Sequence, residues 1–339
     1  MAKDTFNVNS IDKMKKEEQF RSRIKKIRYG ILALILFSVV VFVAIAVLAV
    51  ANEGLDNFVG SLLRINIYYL IAALLAVFVS YAMRFPKWQI YMRQLKVRIS
   101  LKKSFLIYMS MFSMDITPGR WGRAVVSFTM NRATGARFSR TFPAVVADIF
   151  TDFVGFAIVA VLAVLFVNQY VYISIILIAL TFIPFIFLYR ERPFRYLRNR
   201  LGNMKILEGF FNAGNMYFRN KKMLNRRAYV YSIIFTVPSV ILIGIALYLV
   251  ILGFGASLGL EWLPAVIFIY CSSTLIGMAS GSPGTLGVTD AALLGELSLL
   301  LPIDFGIVAA TTIIFRIATV WFVELFGFGS LIYTFRYWD

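Results

Sequence analysis

Ionisable side chains within long apolar stretches are the residues of this sequence best placed to do chemistry. Asp148 and Asp152 are four positions apart, so they share one face of a helix. Arg316 and Glu324 lie in the last apolar stretch. A charge in hydrocarbon costs at least about 2.5 kcal/mol, so such residues are rare and usually functional. We expect these four residues to form a buried cluster that binds or moves a polar substrate; an ion-pair network that only holds the chain together is the alternative.

A repeated hexapeptide is the second feature with chemical potential. The segment TPGRWG, Thr117–Gly122, has a near copy, SPGTLG, Ser282–Gly287, at an offset of 165 residues. Pro and Gly break helices, and a helix that begins after such a break presents free N–H groups and a positive dipole end, which bind anions. The alternative is that Pro-Gly only forms the turn of a hairpin. The candidate substrate-binding residues are Asp115, Thr117, Pro118, Gly119, Arg120 and Arg123 at the first tip, and Ser282, Pro283, Gly284 and Asp290 at the second.

Composition excludes several kinds of site and indicates the fold class. The chain has 339 residues, of which 60% are hydrophobic, and a mean hydropathy of +0.78, whereas soluble domains have about 45–50% apolar residues. It has no histidine and one cysteine, Cys271, which excludes histidine-based catalytic triads, histidine-based zinc sites and an internal disulfide. We therefore expect no catalytic residue, no metal and no cofactor. Several apolar runs reach the roughly 20 residues that cross a bilayer, so the sequence predicts an all-α polytopic membrane protein.

Basic residues indicate how the elements that carry these side chains are oriented. Four segments hold 30 of the 35 Lys and Arg residues, namely 1–28, 84–103, 131–141 and 190–228. The positive-inside rule assigns all four to the cytoplasm, together with both chain termini. The net charge of +18 is thus an orientation signal with attraction to anionic lipid, and we expect no nucleic-acid partner.

This assignment predicts the architecture. Because both flanks of 104–131 are cytoplasmic, that segment is a re-entrant helical hairpin that enters from inside, and 263–300 is likewise a hairpin that enters from outside. With about six transmembrane helices, the chain then divides into two repeats of opposite orientation, 29–168 and 169–339, an arrangement common among transporters. The second repeat also contains the basic cytoplasmic loop 190–228, which has the pattern of an amphipathic surface helix.

Three segments carry a resemblance to a known family. They are ITPGRWGR at 116–123, VVADIFTDFVGF at 145–156, and the stretch from GMASGSPGTLG to ELFG at 277–327. The last resembles a Pro-Gly-Gly-x-Gly-x-x-Glu signature followed by an arginine, which here is Arg316. The sequence is similar in these segments to the lysylphosphatidylglycerol synthase transmembrane domain family. It departs from that pattern where Arg123 replaces a usual Glu, Ile149 replaces a usual Arg, and Asp290 replaces a usual Glu.

The resemblance implies a lipid flippase-like protein of the prokaryotic cell membrane. In the bacterial multiple peptide resistance factor, this domain moves aminoacylated phosphatidylglycerol between leaflets. We expect membrane lipid as partner, with an anionic or zwitterionic phospholipid or a polyprenyl-phosphate glycolipid as substrate. The aminoacyl-transferase domain is absent from this sequence, so we expect no lysyl-lipid synthesis. A small-solute or ion transporter and an integral-membrane lipid-modifying transferase are the alternatives, and association between copies of the chain stays open.

Overall fold

The computed structural model describes an all-helical chain. The described residues are 54–115, 117–166, 191–201, 224–280 and 287–337, with most positions of 36–51 and a few between 211 and 218, and no strand occurs among them. The α-helices of the longer ranges are α1 (Leu55–Leu63), α2 (Ile67–Met83), α3 (Phe85–Gln94), α4 (Leu101–Ser110), α5 (Val125–Thr134), α6 (Phe138–Val164), α7 (Glu191–Leu201), α8 (Arg226–Gly253), α9 (Leu263–Ser280), α10 (Val288–Leu300), α11 (Phe305–Arg316) and α12 (Phe322–Tyr337).

Several stretches are long and apolar enough to cross a membrane. Over the described ranges these are Ile67–Gln94, Phe138–Val164, Arg226–Gly253, Leu260–Ser280 and Phe305–Arg336. The prediction of an all-α polytopic membrane protein is therefore confirmed. The number of transmembrane helices, the re-entrant nature of the hairpins and the division into two inverted repeats stay predictions. The basic segment 1–28, part of the basic loop 190–228 and the tip residues Ser282, Pro283 and Gly284 lie outside the described residues.

The outside of the helix bundle exposes apolar side chains, whereas the interior also holds polar ones. Large apolar side chains such as Leu75, Val79 and Leu162 are exposed on the outside of the helices, where hydrocarbon rather than water would surround them. Inside, α8 packs against α2, α6 and α9. This central helix also carries two buried polar side chains, Thr236 and Ser239, which face the site described below.

Helices α2 and α3 form one continuous helical stretch rather than a span followed by a loop. Arg84, which joins them, has right-handed helical dihedral angles, and Pro86 lies in the first turn of α3, where its missing N–H breaks no helical hydrogen bond. Segment 84–103, one of the four segments assigned to the cytoplasm, is therefore helical in its first part, and its side of the membrane stays a prediction. The face of α3 that turns inward is buried and consists of Lys87, Trp88, Tyr91 and Met92.

The first predicted hairpin consists of two short helices that meet at a break. Helix α4 continues as a 3-10 segment, Met111–Met114, and a second 3-10 segment, Pro118–Ala124, leads into α5. The two halves contact each other, so the chain folds back here. Thr117 holds the break because its Oγ1 donates to the Met114 carbonyl at 2.8 Å and accepts from the Gly122 N–H at 2.6 Å. A Cβ on Gly122 would lie 2.5 Å from the Met114 oxygen, so only glycine fits.

The second pair of helices, α9 and α10, also packs arm against arm. Helix α10 begins after Gly287, whose N–H donates to Asp290 Oδ2 at 2.7 Å. This bond satisfies one of the free donors at the helix start and places the Asp290 carboxylate in the first turn.

The last helical stretch contains a wider turn. Helix α11 ends at Arg316, a π-helical segment spans Ile317–Trp321, and α12 follows. Helix α12 packs on α4 and on Met111–Met114. The contact is close at Gly327, where an added Cβ would overlap the Ser113 backbone nitrogen.

Candidate functional site

A network of ion pairs occupies the interior between α2–α3, the first hairpin, α6 and α8. We name it the charge cluster. It contains four cations and three carboxylates, namely Arg84, Lys87, Arg120, Arg123, Asp115, Asp148 and Asp152. Charges removed from water in this way are tolerated only when they are paired and hydrogen-bonded.

Asp152 is the centre of the charge cluster. Its carboxylate lies 2.5 Å from Lys87 Nζ and 3.0 Å from Arg123 Nη1. Two further guanidinium groups are within reach, Arg84 at 3.4 Å and Arg120 at 3.8 Å. Asp148, one turn earlier on α6, takes Lys87 at 2.9 Å and Arg123 at 2.9 Å. The two aspartates therefore share one buried face of α6 and the same two cations.

Arg123 connects the first hairpin to α6. Its Nε and Nη2 donate to the two Asp115 oxygens at 2.5 Å and 2.7 Å, and its Nη1 donates to Asp148 and Asp152. A fork of five donors suits this role, because lysine could not bridge three carboxylates with fixed geometry. The guanidinium that departs from the family pattern is thus fully paired here. Ile149, the other departure on α6, packs against the apolar core instead.

Arg84 and Lys87 are the site residues that sequence reasoning missed. Both side chains are buried, with 2% and 0% of their surface exposed. Arg84 Nε donates to Ser239 Oγ at 2.7 Å, and Lys87 Nζ lies 3.4 Å from Thr236 Oγ1. Helix α8 therefore supplies hydrogen-bond acceptors to both cations. The helical spacing of Arg84 and Lys87 with Trp88 and Tyr91 was the signal that could have placed them on an inward face.

Arg120 stands apart from the other cations. It is a non-glycine residue with positive φ, 58°, a backbone conformation that is uncommon and costs energy. Its side chain is 14% exposed and only approaches Asp152, at 3.8 Å. The excess positive charge of the charge cluster is therefore carried by the side chain that is least tightly held.

Arg120 opens onto a cavity that we name the polar pocket. The pocket lies between α2, the first hairpin, α9 and the Arg316–Glu324 stretch. Its lining includes four ionisable side chains and three aromatic rings, namely Asp115, Arg120, Arg316, Glu324, Tyr81, Phe112 and Tyr270. Two guanidinium groups beside two carboxylates suit an anionic or zwitterionic group.

Arg316 approaches the polar pocket from the opposite side. Its Nε lies 2.5 Å from Asp290 Oδ1, so the second helix pair supplies its counter-ion. The expected cluster of Asp148, Asp152, Arg316 and Glu324 is thus divided, because the aspartates pair with α3 and the first hairpin. Arg316 and Glu324 instead meet Arg120 across the polar pocket.

Thr117 contributes through both its side chain and its backbone. It precedes the 3-10 segment that begins at Pro118 and contains Gly119, its Oγ1 accepts from the Gly122 N–H at 2.6 Å, and its carbonyl accepts from the Arg120 N–H at 2.9 Å. These bonds set the course of the chain toward Arg120 and Arg123. A substrate-binding role for these residues stays a prediction.

Fold and site together define a class, an integral membrane protein of packed helices with ion-paired charge and a polar pocket in its interior. The chain belongs to the family described as the lysylphosphatidylglycerol synthase TM region, whose sequence model matches residues 31–327. The predicted family is therefore confirmed, and with it a multi-pass membrane protein related to lipid metabolism or transport. No curated protein matches the sequence.

Proposed function

We propose that this protein moves a lipid with an anionic or zwitterionic headgroup between the two leaflets of the membrane. The observation that carries the proposal is that residues lining the polar pocket and residues lining an apolar groove lie within one helical turn of each other on the same three elements. A phospholipid or a polyprenyl-phosphate glycolipid has that same division between a charged head and an apolar chain.

The apolar groove lies between α2, α4 and α12. Its lining is almost wholly hydrophobic and includes Phe78, Phe105, Met109, Leu325 and Phe326. These residues are close in sequence to the walls of the polar pocket.

On each of these elements, a residue that lines the groove is within one helical turn of a residue that lines the polar pocket. Phe78 precedes Tyr81 on α2, and Met109 precedes Phe112 on the first hairpin. On α12, Leu325 follows Glu324 directly. An acyl or prenyl chain in the groove would therefore have its phosphate end on the side of the polar pocket, which Arg120 lines.

The polar pocket is lined by side chains of the kinds that bind such a headgroup. Arg120 and Arg316 offer guanidinium groups, which bind phosphate with bidentate geometry. Asp115 and Glu324 line the same space and would accept from hydroxyl or ammonium groups. Since Asp115 is already bridged by Arg123, the first hairpin keeps its shape when the pocket is empty.

The finer features of this proposal follow from the charge pattern. We infer that the chain forms two inverted repeats with a re-entrant hairpin in each, and that both termini are on the cytoplasmic side of a prokaryotic cell membrane. The hairpins would then bring Arg120 and Asp290 toward the midplane from opposite faces. No enzymatic step is included in the proposal.

Purified protein in liposomes tests the function directly. A fluorescent phospholipid placed in one leaflet is followed as it becomes accessible to a membrane-impermeant quencher on the other side. We expect Arg120→Gln to slow translocation about tenfold to a hundredfold, because it removes a charge-assisted hydrogen bond of about 1.5–3 kcal/mol. Arg316→Ala should do the same, whereas Arg98→Gln, at an exposed arginine outside the pocket, should translocate at the wild-type rate.

Three results would contradict the proposal. Wild-type rates in both pocket variants would remove the polar pocket from the function. Uptake of a water-soluble solute without lipid movement would favour a solute or ion transporter. A new lipid species detected by mass spectrometry would favour a lipid-modifying transferase.

A further inference from the structure

A carboxylic acid that is not part of the charge cluster lies at the contact between α9 and α10. Glu296, on α10, reaches across to Ser272 on α9, and the two side chains share a short hydrogen bond. Among the described residues, no Lys or Arg forms an ion pair with Glu296, in contrast to the carboxylates of the charge cluster and to Asp290.

The hydrogen bonds around Ser272 indicate which side donates. Ser272 Oγ lies 2.8 Å from the Phe268 carbonyl and 3.1 Å from the Ile269 carbonyl, and it also contacts Glu296 Oε2. A hydroxyl has one hydrogen, so it cannot donate to all three oxygens. The arrangement is satisfied when Ser272 donates to the backbone and a neutral Glu296 donates to Ser272 Oγ.

The surroundings favour the neutral form of Glu296 as well. Helix α9 presents the buried thiol of Cys271 beside it. The other charged groups on the elements packed against this site pair with one another or lie at helix ends. Arg316 on α11 pairs with Asp290 on α10, and Asp148 and Asp152 on α6 pair with Lys87 and Arg123. Arg226 and Arg227 begin α8, Arg140 lies in the first turn of α6, and Glu261 precedes α9. A charged carboxylate at the α9–α10 contact, with no cation paired to it, would cost free energy. Protonation of Glu296 removes that charge.

We propose that Glu296 is a proton-binding site that couples headgroup binding to protons. Release of the proton to water leaves a charge at the α9–α10 contact, which loosens α10 from α9. Since α10 also carries Asp290, the movement shifts the counter-ion of Arg316 and changes the charge that the polar pocket presents. The coupling rests on the proposed function, whereas the proton site itself does not.

Infrared difference spectroscopy on the purified protein tests the proton site without any transport. Wild type at neutral pH should show a protonated-carboxyl band that disappears at alkaline pH and is absent from Glu296→Gln. Asp304→Asn, which removes an exposed carboxylate, is the matched control and should keep the band. Ser272→Ala should keep the band but shift it, because the acid loses its acceptor. A wild-type spectrum that equals that of Glu296→Gln at every pH overturns the proposal.

The pH dependence of lipid translocation tests the coupling. If movement requires the protonated form, the wild-type rate falls about tenfold per pH unit on the alkaline side of the transition. Glu296→Gln, which is permanently neutral, should lose this dependence and keep its fold. Identical pH profiles in wild type and Glu296→Gln would refute the coupling. A protein that moves no lipid at any pH, but retains the infrared band, would refute the proposed function and leave the proton site standing.

Discussion

The stability of the whole protein should depend on one carboxylate, Asp152. The substitution Asp152→Asn keeps the volume of the side chain and removes its charge. Four cationic groups lie 2.5–3.8 Å from that carboxylate. With four cations against three carboxylates, the charge cluster has an excess of one positive charge, and the substitution raises this excess to two. Loss of one partner from a buried ion pair costs about 3–5 kcal/mol, because the remaining charge is left without compensation.

Thermal unfolding of the detergent-purified protein measures this cost. For a chain of this size, we expect the unfolding temperature to fall on the order of 5–10 °C. Asp304→Asn, which removes an exposed carboxylate, should change the free energy of unfolding by less than about 1 kcal/mol.

A second substitution decides whether charge, rather than shape, is responsible. Lys87→Met in the Asp152→Asn background returns the excess to one positive charge, so the double variant should recover about 1–3 kcal/mol. The reasoning is refuted if Asp152→Asn unfolds at the wild-type temperature. It is also refuted if the double variant is less stable than Asp152→Asn alone, since loss of packing would then dominate.

Three further predictions concern single contacts. Gly327→Ala should destabilise the protein by about 1–3 kcal/mol, because its Cβ would meet the Ser113 backbone; unchanged thermal stability would contradict the close approach of α12. Arg123→Lys should also lower the unfolding temperature, since an ammonium group cannot retain the two bonds to Asp115 and still bridge α6; wild-type stability would show that charge alone suffices there. Cys271 should react with a thiol reagent far more slowly in the folded protein than in the denatured protein. Equal reaction rates would contradict the burial of its thiol.

The sequence was sufficient for the fold class and for the face that Asp148 and Asp152 share. Both predictions rest on local properties of the sequence. An apolar run of about 20 residues indicates a membrane-spanning helix, and a spacing of four residues places two side chains on one face of that helix. Partner choice is not local. The sequence predicted that the two aspartates would cluster with Arg316 and Glu324, whereas the structure pairs them with Lys87 and Arg123.

The omission of Arg84 and Lys87 has a specific cause. The positive-inside rule counts every Lys and Arg in a polar segment and does not distinguish a solvated side chain from a buried one. Because α2 continues through Arg84 into α3, two of the seven bases of segment 84–103 belong to the interior of the protein. Periodicity within the segment would have separated them, since Arg84, Lys87 and Tyr91 follow a helical interval.

The π-helical turn after Arg316 fixes how the two ends of the last helical stretch face each other. Such a turn accommodates one residue more than a regular α-helical turn. Deleting a single residue from Ile317–Trp321 would therefore let the helix close regularly and leave everything beyond it in its present orientation. A residue inserted into the regular helix before Glu324 would instead rotate everything beyond it by about 100°, so Glu324 would leave the polar pocket and Gly327 would turn away from the first hairpin. The C-terminal helix can thus lose a residue in the wide turn without moving the site, but it cannot gain one.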